Sequence, residues 1–135
     1  MPCNSISISL RSMQMDARFL QGIEEFNRQF FFEAHDLWEE IWMDTTGNDR
    51  LFFQGLIQTA VGFYHLSNGN LKGASSQFTK ALGKLEQYLP EHHGVDLQHL
   101  VNAVRMCRQD TEAMREGILA RFDETKIPQI HLGSI

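Results

Sequence analysis

The stretch FFEAHDLWEEIWMD, residues 31–44, holds the residue types best suited to chemistry in this chain. It places His35 and Glu39 four residues apart and frames them with Trp38 and Trp42. On a helix, side chains at this spacing lie on the same face and can form a hydrogen bond. The same pair could also supply an imidazole and a carboxylate to a metal ion.

A second group of polar residues lies further along the chain, in the segment 50–67. Its polar members follow one line of a helix: Gln54, Gln58 and His65. Gly55 and Gly62 flank this line, and glycine costs a helix roughly 1 kcal/mol against alanine unless another backbone packs closely there. We therefore expect this helix to be central, with neighbours on both faces.

The two groups together predict a polar cluster between two helices, which we define by its five members: His35, Glu39, Gln54, Gln58 and His65. Buried amide and imidazole groups need hydrogen-bond partners, and each group can supply them to the other. We expect Trp38 and Trp42 to cover the cluster. The favoured interpretation is a hydrogen-bonded seam that fixes helix register, in which His35 bonds to Glu39 one turn away.

The alternative interpretation is a divalent metal site formed by His35, Glu39 and His65. Imidazole and carboxylate ligands suit zinc or iron and leave coordination positions open. The HxxxE spacing is common by chance, and the sequence has neither HExxH nor the paired ExxH motifs of di-iron bundles. His92 and His93 could chelate a metal ion incidentally, but in the segment EHHG they are expected to be solvated in a loop.

The elements that must position these residues are helices, because helical periodicity extends from about residue 16 to residue 122. Five segments carry apolar residues on one helix face: about 16–28, 31–44, 50–67, 71–89 and 96–118. Short connections between them predict an all-α fold, a compact antiparallel array of four to five helices. We expect a single domain over 16–122, with a flexible N-terminal tail at 1–15 and a C-terminal tail at 123–135.

Turn and cap residues mark where these helices begin and end. Asp16 and Asp96 are predicted N-caps, and NGN at 68–70 predicts a tight hairpin turn between the third and fourth helices. Pro90 is expected to end the fourth helix. Cys107 falls on the apolar face of the fifth helix, which predicts a small core residue.

Length and charge exclude several classes of function. A chain of 135 residues is the usual size of one domain, and its net charge of −5 disfavours nucleic acid and anionic membranes as partners. No apolar run is long enough for a membrane span, and the start MPCNSISISLRSM does not resemble a signal peptide. With only Cys3 and Cys107 and no CxxC pattern, we expect a cytoplasmic protein without a disulfide framework.

The segments HDLWEEIW and LFFQGLIQTAVGFYHLSNGNLKGA, which lie between His35 and Ala74, resemble the signature of the domain of unknown function 309 family. The motifs match in order: HxxWExxW, QGLIQxA and YHxxxGNxxGA. The resemblance implies a small all-helical fold with no settled biochemical activity. The resemblance implies that the family's polar signature residues correspond, in this chain, to the five members of the polar cluster and Asn70. The family usually has glutamate after its histidine, where this chain has Asp36.

Helices three and four also resemble one tetratricopeptide (TPR) repeat. The matching small and aromatic positions are Gly62, Gly69, Ala74, Phe78 and Ala81. Gln58 stands where the repeat prefers a large aromatic residue, and Glu86 where it prefers proline. The pattern therefore predicts a central TPR-like hairpin, and a single unit does not support a peptide-binding solenoid.

Three hypotheses of function follow. The favoured one is a small helical binding or scaffold module for an unknown protein or small-molecule partner, and a homo-oligomer is compatible with it. The second is a metal-dependent, hydrolase-like enzyme that uses His35, Glu39 and His65. The third is a purely structural subunit. The sequence shows no nucleophile beside a base and no glycine-rich phosphate loop, so the enzyme hypothesis depends on those three residues alone.

Overall fold

A computed structural model of the chain describes residues 17–133. Within this range the chain forms five α-helices: 17–27 (α1), Phe31–Asp44 (α2), Arg50–Ser67 (α3), Leu71–Leu85 (α4) and Leu97–Arg115 (α5). Among α2 to α5, contacts are most extensive for α3 with α4, then α2 with α3 and α4 with α5. The predicted all-α compact class is confirmed. The TPR-like character of the α3–α4 hairpin and the division at residues 16 and 122 stay predictions.

The α3–α4 turn forms at the predicted NGN segment because its residues satisfy the backbone geometry of both helix ends. Gly69 has φ +78°, a conformation that glycine adopts without steric cost. The Asn70 side chain caps α4 by accepting a hydrogen bond of 2.9 Å from the Gly73 backbone N–H. Asp96 caps α5 in the same way, through the His99 backbone N–H, as predicted. The predicted cap Asp16 lies outside the described residues.

Helix α3 is the centre of the fold, as its glycines predicted. A Cβ atom added at Gly62 would lie 2.5 Å from Phe78 Cε1, and one at Gly55 would lie 2.8 Å from Leu85 Cδ2. Both contacts come from α4, so the glycines let α4 approach α3 closely. The opposite side of α3 faces α2, where Phe31 stacks on Phe63 with ring centroids 5.4 Å apart.

The predictions for the α4–α5 connection were wrong in two details. Helix α4 ends at Leu85 and continues as a 3-10 turn over Glu86–Tyr88, before Pro90 is reached. The segment predicted as a loop forms a short β-hairpin, in which Glu91–His92 (β1) pairs with Val95–Asp96 (β2). A strand this short has no detectable period-two pattern, so the sequence could not show it.

The segment after α5 packs onto the helices. Ile130 is buried, its backbone N–H donates 2.7 Å to Asn27 Oδ1, and its carbonyl accepts 3.1 Å from Asn27 Nδ2. The Asp96 backbone N–H donates to the His131 carbonyl at 2.9 Å. These contacts attach the C-terminal segment to α1 and to the β-hairpin.

Cys107 is fully buried in the core, as predicted. Burial, together with the nearby carboxylate of Asp110, raises the pKa of the Cys107 thiol to about 12, so it stays protonated and unreactive. Among the described helices, none has both the length and the apolar character that crossing a bilayer requires.

Candidate functional site

Helices α2 and α3 pack antiparallel, which brings the start of α2 to the end of α3. The Phe32 and Tyr64 rings lie 5.7 Å apart at this end. At the other end the Arg50 guanidinium lies 4.1 Å from the centroid of the Trp42 ring, in a cation–π contact. The residues predicted to form the polar cluster lie between these two contacts.

The predicted His35–Glu39 pair forms within α2. His35 Nε2 lies 3.2 Å from Glu39 Oε2, and His35 Nδ1 lies 3.3 Å from Asp36 Oδ1 without the geometry of a hydrogen bond. The Glu39 side chain is 47% exposed and that of His35 is 21% exposed. Glu39 therefore lies at the solvent edge of the interface, whereas His35 is half-buried in it.

His35 and His65 meet at one small cavity between α2 and α3, which we name the α2–α3 cavity. Its volume is about 170 Å³, and its lining is formed by Phe31, Phe32, His35, Val61, Tyr64 and His65. The two histidines come from different helices, so this cavity is where the structure joins the two halves of the predicted cluster. Asn70 Nδ2 lies 3.4 Å from His65 Nδ1, beside the cavity.

The predicted seam is incomplete. Within residues 17–133, no hydrogen bond joins His35 or Glu39 to the α3 members of the cluster. Gln54 and Gln58 are half-buried, and Gln58 Oε1 is buried without a hydrogen-bond partner in that range. Trp42 Nε1 and His35 Nδ1 are unpartnered in the same way. Protein hydrogen bonds within the described residues therefore do not complete the seam that the sequence predicts.

Trp38 does not cover the cluster. It is fully buried against α1, and its indole Nε1 donates to the Phe19 carbonyl at 3.3 Å. Gly22 makes room for the indole, since a Cβ atom there would lie 2.2 Å from Trp38 Nε1. Trp42 lies beneath the Arg50 guanidinium, at the edge of the α2–α3 interface. Trp38 lies three residues after His35 and is rotated from it by about 60° around α2, and this rotation turns its indole toward α1.

The metal ligands predicted from sequence are not brought together. The ligand atoms of His35, Glu39 and His65 do not all lie within 4.8 Å of one another, whereas those of Asp49, His92 and His93 do. The latter three are the one such group in the part of the chain that is described. The expectation that His92 and His93 are merely solvated was therefore wrong.

Asp49 holds both histidines. Asp49 Oδ1 lies 2.8 Å from His92 Nε2, and Asp49 Oδ2 lies 2.8 Å from His93 Nε2. Partial burial alone would raise the pKa of the Asp49 carboxyl, but the hydrogen bonds from the two histidines outweigh it and hold that pKa below its usual range. Sequence reasoning missed this group because more than forty residues separate Asp49 from its partners. The paired histidines were the only local signal.

Because the Glu39 side chain is exposed, we predict that it contributes little to the stability of the fold. We expect Glu39→Gln to change the free energy of unfolding by less than about 1 kcal/mol, because water screens a polar contact this exposed. A buried, charge-assisted partner would lose roughly 1.5 to 3 kcal/mol. Chemical denaturation of both proteins measures the difference. A loss in the larger range would show that Glu39 is a structural member of the core.

Comparison with known proteins concerns the same segment. The model of the family described as Domain of unknown function (DUF309) matches residues 19–77, which is less than half of the chain. The match confirms the resemblance seen in the sequence, and it includes every member of the polar cluster and Asn70. Asp49 lies within the matched segment, and His92 and His93 lie outside it. No curated protein matches the chain.

Proposed function

We propose that this chain, with its DUF309 segment at residues 19–77, is a small helical module that binds a partner polypeptide. In this proposal the partner inserts one apolar side chain into the α2–α3 cavity. The observation that carries the proposal is the cavity itself, an apolar hollow with two histidines in its wall and exposed aromatic rings at its edge. The size of the cavity, the residues at its rim and the charge of α2 indicate which kind of partner it would accept.

The size of the cavity suits a single side chain. At about 170 Å³ it is smaller than the roughly 300 to 1,000 Å³ of sites for metabolite-sized ligands. It is close to the roughly 150 Å³ of an apolar protein cavity that accepts benzene. A phenyl or branched aliphatic side chain therefore fits better than a larger free ligand.

The rim of the cavity has the composition of a protein interface. Phe32 is 50% exposed and Tyr64 is 39% exposed, and their rings lie side by side on the two helices. Exposed aromatic residues around a pocket are typical of the residues that contribute most to binding a partner. His35 and His65 add nitrogen atoms that can hydrogen-bond to the partner's backbone.

The charge of α2 indicates which partner the cavity would accept. The helix carries five acidic residues and no lysine or arginine: Glu33, Asp36, Glu39, Glu40 and Asp44. Arg18 approaches Glu40 and Asp44 at 3.8 Å, whereas the other three have no lysine or arginine partner within residues 17–133. An apolar side chain flanked by lysine or arginine would therefore complement this surface in shape and in charge.

The test uses the full chain and defined probes. Toluene represents a phenylalanine side chain, and the capped pentapeptide Lys-Lys-Phe-Lys-Lys represents a basic segment with one apolar anchor. In two-dimensional NMR spectra, both probes should shift the resonances of Val61, Tyr64 and His65. The control peptides Lys-Lys-Ser-Lys-Lys and Glu-Glu-Phe-Glu-Glu should bind at least several-fold more weakly. If neither toluene nor the phenylalanine peptide shifts the cavity resonances, the proposal is wrong.

Filling the cavity gives a prediction that separates binding from stability. We expect Val61→Phe to abolish the shifts caused by toluene, because the larger ring occupies the α2–α3 cavity that Val61 lines. Val61 is only half-buried, so the thermal midpoint should fall little. Lys72→Ala, an exposed change on α4, is the control that should leave toluene binding intact. Undiminished toluene binding by Val61→Phe would place the binding site elsewhere.

A cytoplasmic location is part of the same proposal. It is supported by Cys107, a free and buried thiol that suits a reducing compartment.

A further inference from the structure

We propose that Asp49, His92 and His93 form a binding site for one divalent transition-metal ion of the zinc class. The group combines two imidazoles and one carboxylate, a ligand set that zinc binds in proteins while a fourth coordination position stays open. It lies outside the polar cluster and shares no residue with the α2–α3 cavity.

The ligand atoms are already close to the spacing that a metal ion requires. The two Asp49 oxygens lie 2.8 Å from the two histidine Nε2 atoms, and all three ligand groups lie within 4.8 Å of one another. In a tetrahedral site with bonds of about 2.0 to 2.2 Å, neighbouring ligand atoms lie about 3.3 Å apart. The two contacts with Asp49 therefore have to lengthen by about half an ångström, and a pair of ligand atoms at the 4.8 Å limit has to close by about 1.5 Å, for an ion to replace the hydrogen bonds.

The backbone of the hairpin is what directs both histidines to Asp49. Successive side chains of an extended strand point to opposite faces, so adjacent histidines would normally diverge. His93 instead has φ +50° in the turn between β1 and β2, a conformation that is uncommon for any residue but glycine. This turn brings the Nε2 atoms of His92 and His93 to the same carboxylate.

The imidazole rings of His92 and His93 also pack against buried phenylalanine rings of α3. The Phe52 ring packs edge-on to His92 with centroids 4.7 Å apart, and Phe53 stacks on His93 at 5.8 Å. Both phenylalanines are buried in α3, directly after the 3-10 turn Gly47–Asp49 that carries Asp49. Three ligands positioned before the ion arrives lose little conformational freedom when it binds.

An ion can reach the site from solution. The side chains of Asp49 and His93 are each 33% exposed and that of His92 is 29% exposed. His92 also lines a cleft of about 560 Å³, whose other walls include Asn48, Tyr88 and Glu91. The open coordination position could therefore hold a water molecule or a small oxygen ligand from this cleft.

The experiment uses full-length protein without a histidine tag. After dialysis against Zn²⁺ and then buffer, metal analysis should find one zinc per chain, and Zn²⁺ should raise the thermal midpoint in a concentration-dependent way. NMR spectra of the wild-type imidazoles should show Zn²⁺ acting on His92 and His93 before the other histidines. This measurement on the wild type does not depend on whether any variant folds.

Two variants remove ligands with little change of shape. Asp49→Asn removes the charge, and His93→Asn keeps a residue that tolerates positive φ, so the hairpin turn is retained. Each should weaken Zn²⁺ binding at least tenfold. His99→Asn is the matched control, because His99 and His131 form an exposed histidine pair with ring centroids 5.0 Å apart. His35→Asn is the second control, and both controls should retain binding.

Three outcomes would overturn the proposal. The first is a wild-type chain that binds no zinc, in which case the contacts of Asp49 only attach the hairpin to α3. The second is zinc binding that survives both Asp49→Asn and His93→Asn. The third is zinc binding that is lost in His99→Asn or His35→Asn, which would place the ion at another histidine.

Discussion

Gly62→Leu is expected to lower the free energy of unfolding by about 3 kcal/mol. Gly62 is buried on α3, and even a single Cβ atom there would lie 2.5 Å from the Phe78 ring of α4. That ring cannot move aside cheaply, because it is fully buried and packs against Phe63 with centroids 4.8 Å apart. A leucine must therefore separate α3 and α4, whose contact is the most extensive among the helices α2 to α5.

Gly83 provides the matched control. It lies on α4, is exposed, and has no atom within 4 Å of the position where a Cβ would be added. Gly83→Ala should therefore stabilise the protein by about 0.5 to 1 kcal/mol, because alanine loses less conformational entropy in a helix. Chemical and thermal denaturation of the wild type, Gly62→Leu and Gly83→Ala tests both predictions. Equal midpoints for wild type and Gly62→Leu would mean that α3 and α4 do not pack as described.

Trp38→Ala is expected to cost about 3 to 5 kcal/mol, the range for removing a large buried aromatic side chain. Trp38 is fully buried beneath α1, its N–H donates to the Phe19 carbonyl, and its ring lies 6.0 Å from that of Phe26. Its loss leaves a cavity between α1 and α2. Because α1 depends on this contact, protease cleavage within residues 17–27 should also become faster, which limited proteolysis measures.

The two tryptophans of α2 allow the same substitution to be compared at two sites. Trp38→Phe should still destabilise, because it removes a buried indole and its hydrogen bond to Phe19. Trp42→Phe should be neutral or slightly stabilising, because it removes an N–H that has no partner among residues 17–133 and retains a ring beneath Arg50. If Trp42→Phe is the more harmful of the two, the assignment of Trp38 to the core and Trp42 to the interface edge is wrong.

Much of the fold was predictable because its signals are local. The bounds predicted for α2 and α3, 31–44 and 50–67, agree with Phe31–Asp44 and Arg50–Ser67. Apolar spacing and turn residues lie within a few positions of the helix ends that they specify, so the information is present in a short segment. Gly62 was informative for the same reason, since a glycine inside a helix costs stability unless something packs closely against it.

The polar cluster was predictable only in part. Helix periodicity predicted that His35 and Glu39 share one face of α2 and that His65 faces α2 from α3. In the structure His35 and Glu39 are in contact, and both histidines line the α2–α3 cavity. Periodicity does not show how deep a residue lies, because depth depends on how far two helices approach each other. Glu39 is therefore nearly half exposed where a buried partner was expected.

Three features could be seen only in the tertiary structure: the direction of the Trp38 side chain, the group formed by Asp49 with His92 and His93, and the position of the C-terminal segment. Trp38 lies next to the cluster in sequence but packs against α1, since a rotation of about 60° on α2 changes which helix a side chain contacts. Asp49 and His92 belong to different elements, and Asn27 and Ile130 come from opposite ends of the described chain. Residue types and spacing determine which local elements form. Which distant side chains meet depends on how those elements pack, because the energy of such contacts exists only after the chain has closed the long loops between them.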